Sequence, residues 1–198
     1  MRGRYGNPPN LARMVRRALD PKRAAWQKPD AVVHTLGLRR GQVVAEIGAG
    51  PGFFTPRLAR AVGRTGRVYA VDPEPRILEL LRRRLARAGV RNVTPVLGRA
   101  DDPLLPAGSC DLALIVNAYH HFADGPAILK KIVLALGRGG RVVNIDWSEG
   151  KSDVGPPPHR RVPREKFLAA ARRAGLRLVA EHRFLPHQYF FVLRPGRE

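Results

Sequence analysis

A chain of 198 residues carries a formal charge of +20, from 36 Lys and Arg against 16 Asp and Glu, with 44% hydrophobic residues. That length suits one domain with a sizeable core. No apolar run nears the roughly 18 residues of a membrane span, and the basic start lacks the apolar stretch of a signal peptide. The single Cys110 excludes a disulfide within this sequence and a cysteine-based metal site, so no metal is expected and a cytoplasmic location is the default.

The charge has two readings. Of the 36 basic residues, 30 are arginine, and a concentrated patch of them would be the footprint of a nucleic-acid binder. They are dispersed instead, at Arg13, Arg16 and Arg17, then Arg82, Arg83, Arg84 and Arg87, then Arg160, Arg161, Arg172 and Arg173. Dispersal favours arginines solvated on helix faces over an RNA partner.

In chain order, residues 1–27 read as a basic arm or cap, broken by Pro8-Pro9 and Pro21, with a short helix over 11–19. A single domain is expected over 28–198. Lys28-Pro29-Asp30 opens its first helix, proline suiting an early helical position; Trp26, just before it, is a candidate wall of a ligand site. Val43-Val44-Ala45-Glu46-Ile47 is a strand, followed by Gly48-Ala49-Gly50-Pro51-Gly52 and a helix over 56–61. Strands over 67–72, 92–97, 111–116 and 141–146 alternate with helices over 75–88 and 127–136, the last ended by Gly137-Arg138-Gly139-Gly140. The strand over 111–116 is apolar almost throughout, as a central parallel strand should be. A proline-rich loop over 150–163 follows, then a helix over 164–174 and two strands over 176–182 and 189–193. These last two are too close for a parallel crossover and must pair antiparallel. The expected fold is α/β: a doubly wound, Rossmann-like, mostly parallel seven-stranded sheet with a C-terminal antiparallel hairpin and helices on both faces.

The chemistry gathers where strands end. Glycines 48, 50 and 52 form a tight loop that lets backbone approach a ligand closely. Glu46 at the end of the strand would repel a dinucleotide diphosphate and suits an ammonium group. S-adenosylmethionine (SAM) carries an amino acid, a sulfonium and no phosphate. Asp72 ends the next strand, where a carboxylate accepts both hydroxyls of an adenosine ribose. Gly98-Arg99-Ala100-Asp101-Asp102 follows the third strand, and Asn117-Ala118-Tyr119-His120-His121-Phe122 the fourth.

On Glu46-x-Gly48-x-Gly50-x-Gly52, Asp72 and Asp101, the chain resembles the class I SAM-dependent methyltransferases over about residues 28–193, closest to the type 11-like group that includes ubiquinone/menaquinone C-methyltransferases. The resemblance implies SAM as cofactor and S-adenosylhomocysteine as product. It implies that Glu46, Gly48, Ala49, Gly50 and Gly52 hold the methionine part, Asp72 and Pro73 the ribose, and Ala100 and Asp101 the adenine, with Asn117 beside the methyl group. Enzymes that methylate nucleobase amines carry Asp/Asn-Pro-Pro-Tyr/Phe after the fourth strand. Here Asn117 stands without the prolines, which counts against a base acceptor.

His120 and His121 are candidate general bases, since histidine titrates near neutrality; being adjacent, they point apart and form no helical zinc pair. Tyr119, Trp147, Trp26, Gln188 and Tyr189 are candidate substrate walls. The expected reaction is methyl transfer to a small molecule. The alternatives are an RNA methyltransferase using the basic surface, a non-catalytic SAM-binding module, and a nicotinamide-binding protein.

Overall fold

The computed structural model describes residues 10–150 and 152–196; the arm expected before residue 10 lies outside them. Three short helices come first: α1 (Leu11–Ala18), α2 (Arg23–Gln27) and α3 (Pro29–Thr35). Asn10 starts α1 by accepting a hydrogen bond from Arg13 N at 2.9 Å, satisfying one of the amides that a helix start leaves unpaired. The helix α2 was not expected from the sequence. Its five residues hold no apolar period, and Lys28, at φ +46, separates it from α3.

The alternating part follows as β1 (Val43–Ile47), α4 (Thr55–Val62), β2 (Arg67–Asp72), α5 (Pro75–Arg87), β3 (Val93–Leu97), β4 (Cys110–Val116), α6 (Gly125–Ala135) and β5 (Leu136–Trp147). After α7 (Arg164–Arg173) the chain closes with β6 (Leu176–His182) and β7 (Gln188–Pro195). Helix starts are marked by proline in α3 to α6. Glu74 and Asp124 cap α5 and α6 through Arg76 N (3.1 Å) and Ala127 N (2.9 Å).

The seven strands form one sheet in the order β3-β2-β1-β4-β5-β7-β6. Pairs from β3 through β5 are parallel, and β7 is antiparallel to both β5 and β6. The mostly parallel sheet with a closing antiparallel hairpin is the expected one. Strand alternation sends Ala45, Ile47, Ala113, Ile115 and Val142 to one face, under Ile128, Leu129 and Ile132 of α6 and Phe167 and Ala171 of α7. Val44, Leu112, Leu114, Val143 and Ile145 face the other way, under Val32 of α3 and Leu58 and Val62 of α4. Burial on both faces explains why β4 reads as a continuous apolar run. Among the described residues no helix is long and apolar enough to cross a membrane.

The start of β5 departs furthest from expectation. The glycines of 137–140 were read as the stop after α6, but β5 begins at Leu136 and runs through them. Leu136 pairs with Cys110, the register shifts before Leu112 pairs with Arg141, and Gly139 at φ +76 takes up the difference. The extra residues form a bulge that helix-stop reasoning does not distinguish from a loop.

Strand order reverses between β1 and β4, so the loops after these two strands open into one crevice. The loops after β2 and β5 border it.

Candidate active site

The glycine loop is clamped from below. Gly48 N and Ala49 N both donate to Val71 O, at 2.8 and 3.0 Å, and Gly50 N donates to Asp72 Oδ2 at 2.9 Å. Gly48, Gly50 and Gly52 all have positive φ, between +57° and +84°, where a side chain is strained. Their surroundings differ. A Cβ on Gly48 would stand 2.6 Å from Ala118 Cβ, and one on Gly52 would collide with Leu81 Cδ1. One on Gly50 would meet nothing within 4 Å. Gly48 and Gly52 therefore permit packing, while Gly50 borders open space.

Three carboxylates stand at or beyond the ends of three strands. Glu46 is 4% exposed and accepts from Thr55 Oγ1 at 2.6 Å through Oε2. Burial pushes its carboxyl up to about 8; the Thr55 hydrogen bond and the Arg23 charge oppose the shift, and Asp72 adds to it. Asp72 is also buried, and its pKa is raised by burial against the pull of hydrogen bonds from Glu74 N (3.0 Å, to Oδ1) and Gly50 N. Asp101 is exposed and has no hydrogen-bond partner among the described residues. Its neighbour Asp102 is spent locally, accepting from Leu104 N at 2.8 Å and pairing with Lys131 at 3.6 Å. Ala49 is buried beside the loop, and Pro73 and Ala100 are half-buried.

Beyond the loop, the turn after β4 carries two unlike histidines. His120 Nδ1 lies 2.8 Å from Asp146 Oδ1, with side chains 5% and 1% exposed. Asp146 Oδ2 also accepts from His120 N at 3.1 Å, and Oδ1 from Trp147 N at 2.9 Å. A carboxylate accepts only, so Nδ1 carries the proton and Nε2 is the basic nitrogen. His121 is exposed and touches His120 ring to ring, with centroids 4.0 Å apart. The geometry thus separates the two histidines that sequence reasoning left equivalent. Asp146, 26 positions away, went unnoticed because it reads as the last residue of an apolar strand.

The expected substrate walls divide. Trp147 and Trp26 meet with ring centroids 5.1 Å apart, and His187 joins Trp26 at 6.2 Å. Gln188 Oε1 accepts from Gln27 Nε2 at 2.8 Å, and Gln188 Nε2 donates to Asn117 Oδ1. Asn117 sits at φ +54, in the left-handed region that asparagine tolerates. Trp26, Trp147, Gln188 and Asn117 are thus brought together. Tyr119 and Tyr189 are not brought to this group. Tyr119 stands edge-on to Phe167 at 4.7 Å with its hydroxyl against Gly125, and Tyr189 stacks on Phe191 at 4.7 Å. Both are 5% exposed core aromatics; alternation along β7 turns Tyr189 away from the face that Gln188 serves.

The proline-rich loop is held shut on this site. Arg161 donates to the carbonyls of Pro156 (2.9 Å), Ser148 (2.9 Å) and Gly150 (2.7 Å), and lies 5.8 Å over Trp147. A Cβ on Gly155 would stand 2.6 Å from the Trp147 ring.

Residues 44–140 match a family described as a methyltransferase domain. The protein-L-isoaspartate O-methyltransferase of Ignicoccus hospitalis is 33% identical over 101 residues, 51% of this chain and 47% of that protein. The ubiquinone/menaquinone biosynthesis C-methyltransferase UbiE of Enterobacter sp. (strain 638) is 32% identical over 114 residues, 57% of this chain and 45% of that protein. The chain therefore spans less than half the length of these relatives. In fold it is similar to a SAM-dependent methyltransferase from Aquifex aeolicus, with a TM-score of 0.89, 22% identity, and 94% and 98% of the two chains covered. The open side of Gly50 and the unspent oxygens of Glu46 and Asp101 fit a SAM-sized ligand with an ammonium group at one end and an adenine amine at the other. Domain match, relatives and fold together make the chain similar to the class I SAM-dependent methyltransferases.

Proposed function

We propose that this chain methylates a small molecule whose accepting atom bears a dissociable proton. When bound, SAM supplies an electrophilic methyl group on a sulfonium. Glu46 holds the ammonium end, Asp72 the ribose hydroxyls and Asp101 the adenine amine, the glycine loop giving backbone access between them. His120 accepts the acceptor's proton at Nε2, and Asp146 fixes the tautomer and steadies the resulting imidazolium. Trp26, Trp147 and the Gln27–Gln188–Asn117 chain wall the acceptor side and keep water out. Bringing acceptor and methyl donor together in line contributes most of the acceleration.

The observation that carries this reading is the nearly buried His120–Asp146 pair at the rim of the SAM crevice. A carboxylate on Nδ1 leaves Nε2 as the accepting nitrogen and favours the imidazolium that proton uptake would form. The test is methyl-labelled SAM incubated with a cell extract that is then split into small-molecule, protein and RNA fractions. Label in the small-molecule fraction, lost with His120→Gln, supports the proposal. Label in RNA would show instead that the +20 charge serves a nucleic-acid acceptor. Label in protein would point to an acceptor like that named for the isoaspartate relative.

A further inference from the structure

The first helices bring a cation into the crevice. Arg23 of α2 lies 4.1 Å over the Phe53 ring, next to the last loop glycine, and 6.0 Å from Phe54. Its Nη1 donates to Ala18 O at 2.8 Å and its Nε to Gln27 Oε1, while Nη2 has no hydrogen-bond partner among the described residues. None of these partners is a carboxylate. Gln27 in turn donates to Gln188 at 2.8 Å, so α2 is fixed to the sheet by a buried contact. Arg23 and Glu46 feel each other's charge, each drawing the other toward its ionised form. Yet no ion pair within 4.0 Å joins them among the described residues, and Glu46 Oε1 remains unspent.

A half-buried guanidinium and a buried carboxyl that close no ion pair with each other leave both groups open to a ligand. The arrangement suits a ligand carrying both charges on one carbon, the ammonium meeting Glu46 and the carboxylate meeting the free edge of Arg23. A guanidinium is the group best matched to a carboxylate fork.

We propose that Arg23 and Glu46 are the two poles of an α-amino-acid subsite, with Arg23 binding the carboxylate of the cofactor's methionine moiety. The arm before α3 is then part of the cofactor pocket as well as a cover for the acceptor. Resting on the SAM reading above, this explains why α2 is tied so firmly to the hairpin turn: the tie sets the reach of Arg23.

The test is calorimetric binding to wild-type protein and Arg23→Gln, with folding of the variant checked by circular dichroism. The two ligands are S-adenosylhomocysteine and its decarboxylated analogue, which keeps the amine and lacks the carboxylate. Wild type should prefer S-adenosylhomocysteine by about tenfold or more, the value of a charge-assisted hydrogen bond. Arg23→Gln should lose that preference while binding the analogue within about twofold of wild type, and Arg23→Lys should restore part of it. Equal weakening of both ligands would make Arg23 a packing staple on Phe53 and overturn the proposal. So would an Arg23→Gln variant that keeps the preference. Wild-type protein that ignored both ligands would overturn the SAM reading itself, a distinguishable failure.

Discussion

Glu46 ties cofactor affinity to pH in a way that can be worked through. Its carboxyl, ordinarily near 4.5, is pushed up to about 8 by burial. At pH 7 about nine tenths of the empty protein therefore carries a proton there, since the ionised fraction changes tenfold per pH unit below the pKa. An ammonium ligand requires the carboxylate, so binding S-adenosylhomocysteine at pH 7 should release about 0.9 proton. The association constant should rise about 50-fold from pH 6 to pH 8 and level off beyond. Calorimetry in two buffers of different ionisation enthalpy gives the proton count directly, and a pH series gives the slope. Glu46→Gln should bind weakly and without that slope. The sign for stability runs the other way. A carboxyl raised by the fold favours folding fully below 4.5, and that contribution is lost as pH rises through about 8. The empty protein should thus melt lower at pH 8 than at pH 5, and the ligand should protect most at the alkaline end. Wild-type affinity that is flat from pH 6 to pH 8, or an equal rise in Glu46→Gln, would refute the assignment of the ammonium to Glu46.

The glycines should separate by role. Gly50→Ala should cost about 1 to 2 kcal/mol of folding stability for its left-handed backbone yet abolish S-adenosylhomocysteine binding. Gly48→Ala should cost about 1 to 3 kcal/mol more for the clash with Ala118; urea unfolding measures both, and equal losses would contradict the open side of Gly50. Asp146→Asn should leave S-adenosylhomocysteine affinity within about threefold while lowering methyl transfer and shifting its pH profile, His120→Gln costing about a hundredfold. An Asp146→Asn enzyme with an unmoved profile would leave Asp146 a structural anchor only. Arg161→Met should unpin the loop after β5, costing about 2 kcal/mol or more through unpaired carbonyls and speeding tryptic cleavage after Lys151. A loop that resists cleavage as before would show that Trp147 packing suffices.

Much of this fold is local and therefore legible. β2 falls on its expected residues because Gly66 and Pro73 flank it, and β6 starts as expected just after Gly175. The positions of Glu46, Asp72 and Asp101 are local too: Glu46 is next to last in β1, Asp72 is last in β2 and Asp101 lies four residues past β3. What escaped reading depends on partners far along the chain. The strand β5 overran the glycines because its register is set by Cys110 on β4. Tyr119 and Tyr189 were expected as walls, but the turn after β4 and the alternation of β7 send both rings to the α6–α7 face.

The contacts that turn a SAM fold into a particular site are the least legible. His120 meets Asp146 across 26 positions, and Gln27 meets Gln188 across 161. Neither spacing repeats a helical or strand period, so no pattern in the sequence announces it. The first joins the turn after β4 to the neighbouring strand β5, and the second joins α2 to the start of β7. The hairpin that closes the sheet therefore also brings Gln188 under the arm, which seats Gln27 and, through it, Arg23. On this argument the antiparallel end of the sheet does more than complete the fold. Removing the Gln188 side chain should disturb cofactor binding at Arg23 without any contact of its own to the cofactor. Measured as the loss of discrimination between S-adenosylhomocysteine and its decarboxylated analogue in Gln188→Ala, this coupling should be several-fold. Full discrimination in that variant would mean that Arg23 is held by Phe53 and Ala18 alone, and that the hairpin serves the acceptor only.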